Sequence, residues 1–284
     1  MARLIHTSET VPKHDYRFVA EIKADEGQSV PTPRSSGPDH SQHAAIRMLL
    51  RAILGGAAAG IIGGVVYGMI GLADAPSALS SLLVLVVLCG GVGLLAGVGV
   101  GAGLALADRF ASGSRLWLAV GGALGGAIVG ALAKLLGSDA FNLLLGAAPD
   151  TMTGAPEGLI IGLTIGLALL VPGQTPDGRT SPAPVAVAGA LGVVSGALIA
   201  FSGGRLMAGS LAALAEAFSG SKVGLERIAA LFGEADFGPL SLAFTTAFEA
   251  MLFATMVVAA IRFRTARHDR PVRPVDAARV PGSV

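Results

Sequence analysis

The chain has 284 residues, 52% hydrophobic and 14% charged, with a mean hydropathy of +0.70 and a formal net charge of +1. Soluble domains carry about 25% charged residues, which sets this chain far outside that class, and its small net charge offers no basic field for nucleic acid. Its one cysteine, Cys89, excludes an intramolecular disulfide and a cysteine metal site.

Residues 1–44 are polar and mixed in charge, with Pro31, Pro33 and Pro38 among serines. Such a segment buries too little apolar area to offset its ordering entropy, so a disordered cytoplasmic tail is expected. No short apolar stretch follows Met1, so the first helix is expected to be retained and to act as the targeting signal. Six apolar segments come next, at about 45–70, 79–107, 116–136, 151–171, 184–201 and 239–261. About 20 apolar residues cross a hydrocarbon core of ~30 Å as a helix, and single lipid-exposed strands would leave backbone groups unpaired. The predicted fold is therefore an all-α integral membrane protein with about six glycine-rich transmembrane helices. The segment 79–107 is long for one span and is expected to tilt or to begin outside the bilayer.

Between residues 205 and 232 the pattern changes. Leu206, Met207, Leu211, Leu214 and Phe218 recur at helical spacing, as do Leu225, Ile228, Leu231 and Phe232, with Arg205, Glu216, Lys222, Glu226 and Arg227 between them. This predicts an extramembrane insertion of two short amphipathic helices on the membrane surface. Residues 263–284 form a basic cytoplasmic tail suited to anionic headgroups.

Basic residues near the helix ends set the orientation. Arg47 and Arg51 precede the first span, Arg109 and Arg115 flank the second connector, Arg179 lies in the fourth, and Arg262, Arg264 and Arg267 follow the last. With six spans all of these share one side, so both termini are expected in the cytoplasm. Arginine greatly outnumbers lysine and Asn142 is the only asparagine, a usage that points to the inner membrane of a bacterium.

A shift of about 66 residues aligns Gly55, Gly56, Gly60, Gly64 and Gly71 with Gly121, Gly122, Gly126, Gly130 and Gly137. A shift of about 63 aligns Gly91, Gly99 and Gly103 with Gly154, Gly162 and Gly166. More weakly, Gly122-Ala-Leu-Gly125 resembles Gly189-Ala-Leu-Gly192, and Pro156-Glu157 resembles Phe248-Glu249. The expectation is three tandem helical hairpins of one orientation, the parallel-repeat arrangement known in transporters. Glycines spaced by four place small faces on the helices: Gly56, Gly60, Gly64 and Gly68; Gly93, Gly97 and Gly101; Gly122, Gly126 and Gly130; Gly154, Gly158, Gly162 and Gly166; Gly192 and Gly196. In lipid, close backbone approach through small residues supplies the attraction between helices.

Two carboxylates, Glu157 and Glu249, fall inside predicted spans at matching positions of the repeat, where the first hairpin has Leu94. Intramembrane acids usually face a bundle interior or a water-filled cavity, so these two are the candidate polar site. The alternative is that each is protonated or hydrogen-bonded to groups such as Thr153, Thr245 or Thr246 and locks helix packing. Histidines occur only at His6, His14, His40, His43 and His268, all in the tails; neither a buried Ser–His pair nor a zinc centre can be built from the spans. Gly91-Val-Gly93-Leu-Leu-Ala96 imitates a dinucleotide fingerprint but sits inside an apolar run without a strand before it.

No enzyme, cofactor or metal is expected. The expected partners are the lipid bilayer and either a second copy or another membrane protein, not nucleic acid. The leading reading is a non-enzymatic multi-pass protein acting through helix packing and assembly. The alternative is a small cation- or proton-linked transporter or channel using Glu157 and Glu249, with residues 205–232 as an external lid.

Overall fold

The structure, a computed structural model, describes residues 38–71, 78–110, 114–146, 153–217 and 226–262. The tail up to residue 37 and the basic segment from 263 lie outside them. Among the described residues the chain forms α1 (Pro38–Gly71), α2 (Ala78–Phe110), α3 (Leu116–Leu145), α4 (Ala155–Ala168), α5 (Ala183–Phe201), α6 (Met207–Ala217), α7 (Glu226–Leu231) and α8 (Pro239–Arg262). No strand occurs among them, only one antiparallel bridge between Gln174 and Thr180. Apolar runs take this form because a helix satisfies its own backbone where no water reaches.

Five helices, α1, α2, α3, α5 and α8, are long and apolar enough to cross a membrane. The fourth expected span, 151–171, is shorter than read: α4 has 14 residues, about 21 Å at 1.5 Å per residue. Its limits are set by proline. Pro156 fits the first turn, where no intrahelical N–H is needed, while Pro172 disfavours helical geometry at Val171. Helix α1 begins at Pro38, inside the segment expected to be a tail, because Pro38 again suits a first helical position. Helix α3 continues past Lys134 and Asp139, both exposed, and stops where Gly146 takes a left-handed φ of 78° and donates its N–H to Asn142 O at 3.0 Å.

The most extensive packing is between α1 and α2, α3 and α4, and α5 and α8; α2 against α3, α4 against α5 and α8 against α1 join these pairs into a closed ring. Glycines sit at the crossings. A Cβ at Gly56 would strike the Gly93 carbonyl, one at Gly60 that of Cys89, and one at Gly64 the backbone of Leu85 and Val86. In α3, Gly122, Gly126 and Gly130 meet Gly162, Gly158 and Gly154 in the same way. In α5, Gly192 meets Ala250 and Met251, and Gly196 meets Thr246 and Ala247.

The facing positions Gly60–Cys89, Gly126–Gly158 and Gly192–Ala250 therefore correspond. First helices are offset by 66 and again by 66 residues, and second helices by 69 and then 92. The offset of 63 expected for the second helix is corrected to 69. Glycine every fourth residue lets such sequences align at several shifts, and only the contacts select one. Aligned on these contacts, the position of Glu157 and Glu249 falls at Leu88 of α2 and not at Leu94.

Helix α6 is not simply laid on the surface. Leu206 is buried with Ile199 and Ala250, and Ala208, Leu211 and Ala212 are buried against Tyr67, Leu85, Cys89 and Ile228. Apolar side chains at helical spacing need an apolar partner, and here the bundle supplies it in place of lipid. Phe218 and Leu225 of the expected stripe lie outside the described residues.

Candidate functional site

Glu249 lies ten residues beyond Pro239, about 15 Å along α8. One carboxylate oxygen accepts the Tyr67 hydroxyl and the Ala208 N–H, each at 2.7 Å; the other accepts the Met207 N–H at 2.6 Å. Met207 and Ala208 are the first two residues of α6, whose opening N–H groups have no partner within their own helix. Such an end carries a partial positive charge of about half a unit. Glu249 therefore caps a helix that begins inside the bundle.

Beside this cap lies a cavity of about 240 Å³, bounded by α1, α2, α3, α4, α8 and residues 206–207. Gly60, Gly63, Gly93, Gly126, Gly130 and Gly158 line it along with Val100, Ile161, Leu252 and Phe253, and the polar groups on its wall are Glu249, Tyr67, Cys89 and Thr153. Cys89 is free and buried. Small residues that bring helices together at one height leave this space beside them, since no side chain projects to fill it.

Glu157 has another place. It is the third residue of α4, and its carboxylate accepts the Gly154 N–H at 2.8 Å. It is 8% exposed and is not on the cavity wall. The structure thus brings Glu249 to the cavity and leaves Glu157 as the cap of its own helix. The threonines expected as partners bond elsewhere. Thr153 donates to Arg205 O at 2.8 Å, Thr245 donates to Ser241 O at 2.7 Å, and the buried Thr246 hydroxyl finds no partner among the described residues.

The opposite end of the ring is held by arginine. Arg262 donates to Leu169 O at 2.6 Å and to Val171 O at 3.0 Å, closing the exit of α4. Arg51 donates to Ile261 O at 3.1 Å at the end of α8. Cations at helix C-termini and carboxylates at N-termini complement the helix dipoles. Near the other end Glu234 caps α8, accepting the N–H groups of Leu240 at 2.9 Å and Ser241 at 3.0 Å. The Ser241 hydroxyl above all, with these N–H groups, holds the Glu234 carboxyl below its usual range.

Sequence reasoning missed Tyr67, Arg262 and the α6 N-terminus. Tyr67 carried a signal: it is a tyrosine within an apolar run, and a buried phenol needs a partner. Among the described residues no three His, Cys, Asp or Glu side chains gather to hold a metal ion. Comparison with protein-family models, curated proteins and solved structures finds no match.

Proposed function

We propose that this chain is a non-enzymatic carrier of the bacterial inner membrane that loads a proton or a cation on Glu249. The observation that carries this reading is a carboxylate, bonded to the N-terminus of α6, on the wall of a cavity within the helix ring. Discontinuous helices with their ends at a central site are a transporter device. The common register of the three hairpins supports descent from a tandem repeat. Six crossings follow if the irregular residues 169–171 complete the path of α4. Arg51, Arg115, Arg179 and Arg262 at one end then set both termini in the cytoplasm.

Assembly through glycine faces, the other reading, has less to stand on. A Cβ at any glycine of the packing set meets atoms of this same chain within 4 Å, so those faces are spent on the fold. Gly91, exposed and with nothing near, is an outward glycine that remains.

Thermal unfolding of the detergent-purified protein, across about pH 5–8 and with a panel of cations, tests the proposal, because a ligand bound only by the folded state raises its stability. Wild type and Glu157→Gln should respond to the same ion or pH step, and Glu249→Gln should not. Equal responses from all three proteins would remove Glu249 from the account.

A further inference from the structure

The cavity opens toward the lipid-facing surface. Helices α2 and α3 are pressed together where Gly103 meets Gly121 and Gly99 meets Gly125 and Val129. Beyond that crossing, on the side of Glu249, Leu95 of α2 and Ala133 of α3 both line the cavity and are exposed, Leu95 by 58%. Residues that show on both surfaces mark a mouth, and in a bilayer the medium outside that mouth is hydrocarbon.

The wall states what suits it. Among the described residues, Glu249 is the one ionisable acid or base of the Asp, Glu, Lys, Arg and His types lining the cavity. Its ionised form is offset by about half a unit of charge from the α6 N-terminus, and Tyr67 from α1 and Cys89 from α2 are the other titratable groups on the wall. Helices α3 and α4 and residues 206–207 add none. A carboxylate offers about four lone-pair positions, and three are occupied by Tyr67, Met207 and Ala208. A residual negative charge in an apolar chamber is costly unless a proton or a cation meets it. A divalent metal ion stripped of its water is the wrong cation, since such ions want about six oxygen ligands and among the described residues the wall has Glu249, Tyr67 and Thr153 to supply side-chain oxygen. A cation with a diffuse charge and an apolar body satisfies both features, and the rings of Tyr67 and Phe253 add attraction. The volume of 240 Å³ lies just under the range of about 300–1,000 Å³ for drug-sized ligands, which limits the guest to about one ring.

We infer that the Glu249 cavity takes a small lipophilic monocation that enters from the hydrocarbon layer between α2 and α3. This rests on the reading of Glu249 as a cation or proton site.

The test is binding of radiolabelled benzyltrimethylammonium to the protein in lipid nanodiscs, beside neopentylbenzene, its uncharged carbon isostere. Wild type should bind the cation and prefer it over the isostere. Glu249→Gln should weaken it by at least about tenfold. Leu95→Trp and Ala133→Trp sit at exposed positions that tolerate bulk, and each should slow association several-fold. Equal binding of the isostere would mean a chamber that merely holds lipid chains, and unchanged binding by Glu249→Gln would remove the charge; either overturns the inference. Unaltered association in both tryptophan variants overturns the route. If the cation does not bind while a pH or ion response still depends on Glu249, the substrate class is wrong and the carrier reading survives. If that response is absent too, both fall.

Discussion

Replacing Gly192 by alanine isolates the packing that holds the third hairpin. A Cβ built there lies 2.6 Å from Met251 Cα and 2.8 Å from Ala250 O, both backbone atoms that cannot swing aside. Carbon atoms in good contact are about 3.5–4.0 Å apart, so α5 and α8 must separate by about 1 Å. Overpacking of this kind costs about 1–3 kcal/mol. The same change at Gly91 is the control, because nothing lies within 4 Å of a Cβ there. Both sites are mid-helix, so the gain of about 1 kcal/mol from replacing glycine in a helix is common to both variants and cancels in their difference. Reversible unfolding by denaturing detergent should then separate Gly192→Ala from Gly91→Ala by about 1–3 kcal/mol. Two variants of equal stability would refute the argument that backbone contact at glycine holds these helices.

Thr164 of α4 and Ser195 of α5 share a buried hydrogen bond, and a double-mutant cycle with Thr164→Val and Ser195→Ala should give a coupling near the average of about 0.6 kcal/mol for such pairs in a membrane bundle. Arg262→Gln withdraws the guanidinium from Leu169 O and Val171 O, so hydrogen exchange should accelerate at 169–173 and stay unchanged at the start of α4. Glu234 has its carboxyl pKa lowered from the ordinary 4.5, so its capping stabilises fully above that value and is lost as pH falls through the lower folded value. The stability difference between wild type and Glu234→Gln should therefore be constant at neutral pH and shrink only below about pH 4.5, read from unfolding midpoints in a pH series. Tyr67→Phe keeps the edge contact of the ring with Phe248 but leaves the buried Glu249 carboxyl one donor short, and should cost about 1–3 kcal/mol, the usual penalty for a buried group left without its partner.

The helices were legible because length and hydropathy decide them: an apolar run of about 20 residues has no other stable form in lipid. The glycine crossings were legible as faces, since spacing by four lies on one side of a helix. Their partners were not, because the same spacing permits several alignments, and the second helix was displaced by six residues. The two carboxylates stood out against their apolar surroundings, yet nothing local separates them. Glu157 sits three residues after Gly154 and caps its own helix, whereas Glu249 meets groups 182 and 41 residues away, at Tyr67 and Ala208. The depth of α6 was hidden for the same reason. An amphipathic stripe shows that a helix covers an apolar surface, and protein and lipid present the same one.

The central claim is that Glu249 loads a cation or proton that then crosses the membrane. Its most direct test is flux into liposomes reconstituted with the full chain, read by a trapped pH indicator under an imposed proton gradient and by trapped radiolabel under a gradient of benzyltrimethylammonium. The account predicts an uptake-linked signal from wild type and Glu157→Gln, and a signal from Glu249→Gln no larger than that of empty liposomes. Equal flux through Glu249→Gln, or none through any folded protein, would contradict it.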